Sequence, residues 1–422
     1  MSLNLPRLHQ LSVSDMFQSH LDSLHSNVEM DMQPKNAFYV ADLGECNPDP
    51  MVVRLLAALG AGFDCASMSE IRMMVELGVN PEKIVHANPC KETTQVKYAR
   101  ANNVRMSTFD NEDELLKIKD LFPESKLLLR ILVDDSRSHG QFGRGPVLEV
   151  SRDLGLDVVG VSFHVGSGCF DATAFGDAVV RARRVFDMAK SYGYDFKLLD
   201  VGGGFPSAYG SSEISFESIA EILGSSVNRL FEPEIRVIAE PGRYYVSSAF
   251  SLATQVIARR IISSSPMATV DDKRVKKKSR KCSSNPGPSP STNANANANA
   301  TITRMYYVND GVYGSFSGIY YDNLICDPHA LLLDNQFVYN KPPVMETCLG
   351  NHVTSVWGPT MDSADCLKRE AVLPLMNTGD WIYFDNMGAY TVAAASHFHG
   401  FMKSEVLYTT TEPEVLRLLK LD

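Results

Sequence analysis

Short apolar runs alternate with amphipathic stretches through the first half of the chain, which is the rhythm of βα units rather than of a sandwich or a bundle. "EKIVHANP", "VRMSTFD", "KLLLRILVDD", "VVGVSFHVGSG", "FKLLDVGGGF" and "IRVIAEPGRYY" read as strands that end in polar or small residues. Between them, "SEIRMMVELG", "EDELLKIKDLF" and "FGDAVVRARRVFDMAKSYG" repeat apolar positions at helical spacing, and glycine closes several such helices. This order predicts a parallel α/β barrel with its chemistry at the carboxyl ends of the strands. After Tyr245 the pattern changes to strand-like runs, "YYVSSAFSLATQVIARRII", "MYYVNDGVYGSF", "GDWIYFDNMGAYT" and "SEVLYTT", which predict an antiparallel β domain. Residues 263–303, rich in Ser, Asn, Ala and Lys, are too polar and repetitive to bury a core and are expected to be a disordered insertion between two strands. Their basic cluster, Lys273 to Lys281, reads as a solvated charge run, with a nuclear-localisation signal as the alternative.

Composition narrows the class. A chain of 422 residues, 44% hydrophobic and 21% charged, can build two cores. A net charge of -10 disfavours a general nucleic-acid or anionic-membrane surface and suits an enzyme of small molecules. The 8 cysteines are scattered singly, as in a reducing compartment. With no signal-peptide pattern at the amino terminus and no apolar run long enough for a bilayer, a cytoplasmic protein is expected.

Candidate chemistry lies at three strand ends. Gly202, Gly203 and Gly204 follow the strand ending at Asp200, and Gly242 with Arg243 follows Glu240. Glycines let backbone N–H groups close on a phosphate and arginine adds a fixed charge, although such turns also occur for purely structural reasons. His164 and Ser167, in "SFHVGSG", sit on another strand end, where a flat imidazole can either stack on an aromatic ring or serve structurally. Glu240 is placed to pair with a protonated ring nitrogen. Together these residues point to a phosphate-bearing cofactor, and no metal-ligand spacing accompanies them.

"FYVADLG", "GAGFDCAS", "FHVGSGC", "LDVGGGFP", "IAEPGRYYVSSAF", "YYVNDGVYGSF", "WGPT" and "NMGAYTVAAAS" resemble the eukaryotic ornithine decarboxylases, whose close non-catalytic relatives are the antizyme inhibitors. The resemblance spans nearly all the chain except the termini and the polar insertion. It implies an alanine-racemase-like α/β barrel with pyridoxal 5'-phosphate, a β domain, a homodimer, and decarboxylation of ornithine to putrescine in polyamine biosynthesis, with antizyme as a further partner. By resemblance, Gly204, Gly242, Arg243, Ser167 and Tyr390 bind the cofactor phosphate. His164 stacks on the pyridine ring, Glu240 holds its nitrogen proton, and Asp64 lies beside the cofactor's point of attachment. Tyr321 and Asp322 match a motif that reaches across the dimer interface, where Asp322, joined by Asp362, accepts the distal ammonium of ornithine.

The chain departs from the family where the chemistry matters most. In the family, "ADLGE" leads through a helix to a first barrel strand ending in "FYAVKCN", whose lysine holds the cofactor covalently. Here "ADLGE" runs directly into "CNPDP", so that Glu45 precedes Cys46 at the lysine's place. A carboxylate cannot condense with an aldehyde. "WGPTMD" puts Met361 where the family has its catalytic cysteine, His399 in "HFHGF" replaces an asparagine, and "VDDSRSHGQFGRGPVLEV" lacks the arginine of a "CRLS"-type stretch. Lys91, in "NPCKETTQ", is read as a surface residue, because the family carries a lysine there as well as its anchoring one.

The expected organisation is therefore a segment, residues 1–45, whose strand joins the β domain, an incomplete barrel over 46–245 lacking its first strand, and the β domain over 246–422. The alternative placement shifts "AFYVADLG" into the vacant barrel position. Three functions fit: an ornithine decarboxylase impaired by a skipped segment, through splicing or an incomplete gene reading; a non-catalytic regulator resembling antizyme inhibitors; or a divergent amino-acid decarboxylase.

Overall fold

The computed structural model describes residues 37–42, 46–133, 144–207, 214–261, 304–322, 324–339 and 352–410, together with 413 and 415. Glu45, much of the "VDDSRSHGQFGRG" stretch and the polar insertion lie outside the described residues.

Eight parallel strands close into a barrel: β1 (Ala37–Asp42), β2 (Gly62–Cys65), β3 (Ile84–His86), β4 (Met106–Phe109), β5 (Lys126–Arg130), β6 (Asp157–Ser162), β7 (Leu198–Asp200) and β8 (Arg236–Ala239). The α/β barrel and the separate β domain are thus both present. The strand expected to join the β domain instead fills the vacant barrel position. Its backbone pairs Val40, Ala41 and Asp42 with Gly62, Phe63 and Asp64 on β2, and Ala37, Phe38 and Tyr39 with Val237, Ile238 and Ala239 on β8.

Two constraints explain this placement. Without β1, the facing edges of β2 and β8 would present unpaired N–H and C=O groups to the interior of a closed sheet, which is costly. The chain is also short at this point: Asp42 and Cys46 are four residues apart, a reach of about 14 Å at most. Cys46 is itself fixed, its carbonyl accepting from Tyr390 N at 2.9 Å while Asn47 Nδ2 donates to the Gly388 carbonyl at 2.8 Å. The carboxyl end of β1 is therefore tethered close to the Tyr390 loop.

Local signals start the helices. Asp49 caps the helix Pro50–Ala58, accepting from Met51 N at 2.9 Å, with proline at the first helical position. Ser67 and Glu70 form a reciprocal capping box before Met68–Glu76: Ser67 Oγ accepts from Glu70 N at 3.3 Å and Glu70 accepts from Ala66 N at 2.6 Å. Buried Leu127, Leu129, Val161 and Phe163 of the barrel wall pack with Val179 and Phe186 of the long helix Ala172–Ser191. No described helix is long and apolar enough to cross a membrane.

The β domain is a seven-stranded sheet of β9 (Leu252–Ile261), β10 (Arg304–Val308), β11 (His329–Leu333), β12 (Gln336–Phe337), β13 (His352–Trp357), β14 (Cys366–Leu373) and β15 (Trp381–Phe384), in the order β12-β11-β15-β9-β10-β13-β14. It is mixed rather than wholly antiparallel, because β10 and β13 run parallel. The chain between them is long enough to cross over and return in the same direction. Ile261 pairs with Arg304, so the polar insertion joins two adjacent strand ends. Two predicted strand runs behave differently: Gly242–Val246 and Ser247–Ala249 are helical turns before β9, and 404–410 forms no strand, Tyr408 Oη donating instead to Asp49 at 2.7 Å.

Because β1 is paired on both sides, Val40→Pro removes a ladder donor from the middle of a closed sheet and is expected to destabilise the protein by roughly 2–3 kcal/mol. Urea unfolding measures this loss, and an unchanged midpoint would place β1 elsewhere.

Candidate phosphate-binding site at the barrel mouth

Backbone bonds stitch the ends of β6, β7 and β8 into one rim. Gly202 N donates to Asp200 Oδ1 at 2.9 Å, Glu240 N to the Gly202 carbonyl at 2.8 Å, Gly242 N to the Glu240 carbonyl at 2.8 Å and Cys169 N to the Gly204 carbonyl at 3.0 Å. The glycines are required by this closeness. Gly204 has φ +104°, and a Cβ there would come within 2.5 Å of Val165 Cγ2; a Cβ on Gly203 would lie 2.8 Å from His164 Nε2.

On this rim Arg243 donates to Ser167 Oγ at 2.9 Å and forms an ion pair with Asp322, whose Oδ1 accepts from Ser167 Oγ at 2.8 Å. The guanidinium carbon sits 5.0 Å from the centre of the Tyr390 ring, a cation–π contact. Tyr390 adopts φ +55°, a conformation non-glycine residues rarely take, and its N–H to the Cys46 carbonyl helps hold it there. The resemblance grouped Ser167, Arg243 and Tyr390 at one phosphate site, and the fold adds Asp322 to that cluster.

The rim also sets protonation states. His164 Nδ1 accepts from Gly166 N at 2.8 Å, which leaves the proton of the neutral ring on Nε2. Burial, helped by the Arg130 guanidinium, lowers the His164 pKa from 6.5 to about 4. Asp200 is fully buried and Glu240 is 3% exposed. The second oxygen of Asp200 has no N–H or hydroxyl donor among the described residues and lies against the Glu240 carboxyl. Burial raises the Asp200 pKa to about 6, against the opposing pull of its contact with Glu240, the Gly202 N–H and the Arg130 guanidinium. Neither Asp200 nor Arg130 was singled out for chemistry in the sequence; an acidic residue ending the apolar run "LLD" was the available signal.

These residues fit a phosphate-bearing ring. The cradle offers a guanidinium whose buried Nε has no acceptor among the described residues, a hydroxyl, and glycines where a Cβ would intrude. Among the described residues no group of three or more His, Cys, Asp or Glu could hold a metal ion.

Comparison with known proteins agrees with this geometry. Residues 18–247 match the pyridoxal-binding domain of pyridoxal-dependent decarboxylases. The chain is 40% identical to ornithine decarboxylase of Schizosaccharomyces pombe, over 96% of this chain and 91% of that protein. The chain belongs to the ornithine decarboxylase family. Its relatives include antizyme inhibitor 2 of Xenopus laevis, 41% identical over 89% of this chain and 81% of that protein. Among solved structures it resembles lysine decarboxylase of Selenomonas ruminantium, with a TM-score of 0.68 and 30% identity over 91% of this chain and 88% of that one. Arginine decarboxylase of Paramecium bursaria Chlorella virus bound to agmatine aligns with a TM-score of 0.68 and 27% identity, over 87% of this chain and 88% of that one. Pyridoxal phosphate is the family's cofactor.

Asp362, Met361, Tyr321, His399, Asp64 and Lys91 are the other candidate residues. Asp362 lies on the loop between β13 and β14. It accepts from Tyr313 Oη and from Ala364 N, and Tyr313, whose ring stacks on Phe398, has its pKa pushed up to about 12 by the Asp362 carboxylate. Tyr313 was quoted within "DGVYGSF" but not recognised as a partner. Met361 is 93% and Tyr321 88% exposed, and His399 is exposed at the end of the same β-domain cluster with its ring against Phe398. Asp64, on β2, is half-buried and in backbone register with Asp42. Lys91 is not a surface residue: its Nζ donates to the Thr108 carbonyl at 2.7 Å and the Asn88 carbonyl at 3.0 Å and pairs with Glu114 at 2.9 Å. A buried cation needs such partners, and they occupy its amine.

A histidine whose folded pKa lies below its unfolded value of 6.5 binds its proton more readily in the unfolded chain, so stability falls as pH drops from 6.5 towards 4. His164→Asn is expected to flatten part of that fall in a series of urea midpoints, while His86, lowered to about 3, retains its own share. An unaltered slope would mean His164 titrates normally.

Proposed function

We propose that this chain keeps the family's pyridoxal phosphate cradle but lacks its covalent anchor, so that it binds the cofactor reversibly and converts L-ornithine to putrescine and CO2 only slowly. The observation that carries the proposal is the identity of the closing strand. β1 contains no lysine, and Leu43, Gly44 and Glu45 complete the path to Cys46. Lys91 supports the same reading, its amine being engaged by Glu114 and two carbonyls.

Bound pyridoxal phosphate would supply the electron sink for the carbon that loses CO2. Arg243, Ser167, Gly204, Gly242 and Tyr390 would hold its phosphate, and the neutral His164 ring would lie on its face without adding charge. Glu240, backed by Asp200, would hold the proton at the ring nitrogen, with Asp64 beside the reactive carbon. A dibasic substrate needs a carboxylate for its distal ammonium, the role that the resemblance gives to Asp322. Asp362 and Tyr321, exposed on the β domain, would be presented to a second copy in a homodimer. Met361 has no proton to return to the substrate carbon. The missing amine and missing acid each remove on the order of 10²- to 10⁴-fold in rate.

A second reading is a regulator acting through antizyme, favoured by the 41% identity to antizyme inhibitor 2. The stitched polar rim weighs against a purely non-catalytic role, since binding a partner does not require it.

Borohydride reduction of protein saturated with pyridoxal phosphate tests the anchor. No pyridoxyl group is expected on the native chain, whereas Glu45→Lys is expected to gain one at residue 45. A reduced adduct on the native chain overturns the proposal. Release of CO2 from labelled ornithine, absent at all enzyme concentrations while cofactor still binds, would favour the regulatory reading.

A further inference from the structure

The cradle already contains an anion. Asp322 takes one bond from Ser167 and an ion pair from Arg243, and Arg243 also donates to Ser167, so the three side chains close a triangle. The side chains of Arg243 and Asp322 are 13% and 11% exposed, dry enough for their charges to matter. Among the described residues Asp322 has no second ion pair, and its backbone is held separately by its N–H to the Gly318 carbonyl at 2.9 Å. Only its side chain need turn to vacate the site.

A carboxylate offers a guanidinium and a hydroxyl two oxygens and one negative charge. A phosphate monoester offers three oxygens and up to two charges to the same donors, including the unpaired Arg243 Nε. Both cannot keep Arg243, because two anions at hydrogen-bond distance in a partly dry site repel. We infer that Asp322 is an internal occupant of the anion site and a specificity-determining residue: a dianionic phosphate displaces it from Arg243 and Ser167, and a monoanion does not. This rests on the reading that the cradle takes a phosphate.

The test is calorimetric titration of the full chain at pH 8 with inorganic phosphate, with pyridoxal phosphate and with formate. Native protein is compared with Asp322→Asn, Asp322→Ala and Arg243→Met, each checked for folding by circular dichroism. Both Asp322 variants are expected to bind phosphate and pyridoxal phosphate about tenfold more tightly than the native chain, the scale of one charge-assisted hydrogen bond removed from competition. Formate is expected to bind Asp322→Ala and not the native chain, and Arg243→Met is expected to lose all three ligands. Weaker or unchanged phosphate binding in both Asp322 variants overturns the inference and makes Asp322 a support for Arg243 rather than its occupant. If no form binds phosphate or pyridoxal phosphate, the phosphate reading of the cradle fails and the inference fails with it.

Discussion

A parallel barrel cannot be left open between two strands, because the edge groups would be shielded from water without partners. In this chain that constraint is met by Ala37–Asp42, whose backbone pairs with both β8 and β2. Much else follows from it. The strand that completes the wall determines which residues arrive at the mouth, and here Asp42 comes into register with Asp64. The short path to Cys46 then ties the barrel to the loop of Tyr390, so that closing the sheet and placing the aromatic cover of Arg243 are one structural event.

The mouth is organised around a small number of compensated charges. Asp200 and Glu240 share a buried position, His164 is kept neutral, and Arg243 pairs with Asp322 and Ser167 through its terminal nitrogen. Arg130 acts on both His164 and Asp200 from the end of β5, so four strand ends contribute to one electrostatic arrangement. A second organising group, buried Asp365, accepts from Val312 N, Thr360 N and Thr360 Oγ1, joining the "DGVYGSF" and "WGPT" turns. The β domain thereby presents Asp362 and Met361 as exposed residues, with half-buried Tyr313 donating to Asp362.

Much of this was legible in the chain. Six barrel strands, β3 to β8, follow from apolar runs closed by glycine or polar residues, and Gly202, Gly203 and Gly204 mark the rim because a Cβ at each would meet a neighbour there. The location of β1 was not, since "AFYVAD" has the composition of a strand in either sheet and pairing partners are not encoded locally. Nor could spacing reveal that Asp322 would meet Arg243 across 79 residues. The burial of Lys91 depends on Glu114, supplied by the helix Glu112–Leu121, and the parallel pairing of β10 with β13 depends on the whole intervening crossover.

Hydrogen exchange of the amides in Ala37–Asp42 tests the central claim most directly. If this strand closes the barrel, its amides exchange as slowly as those of Gly62–Cys65 and Arg236–Ala239, and the three segments lose protection together on unfolding. Rapid exchange in Ala37–Asp42 beside a protected barrel, or protection shared instead with β9 and β15, would contradict it.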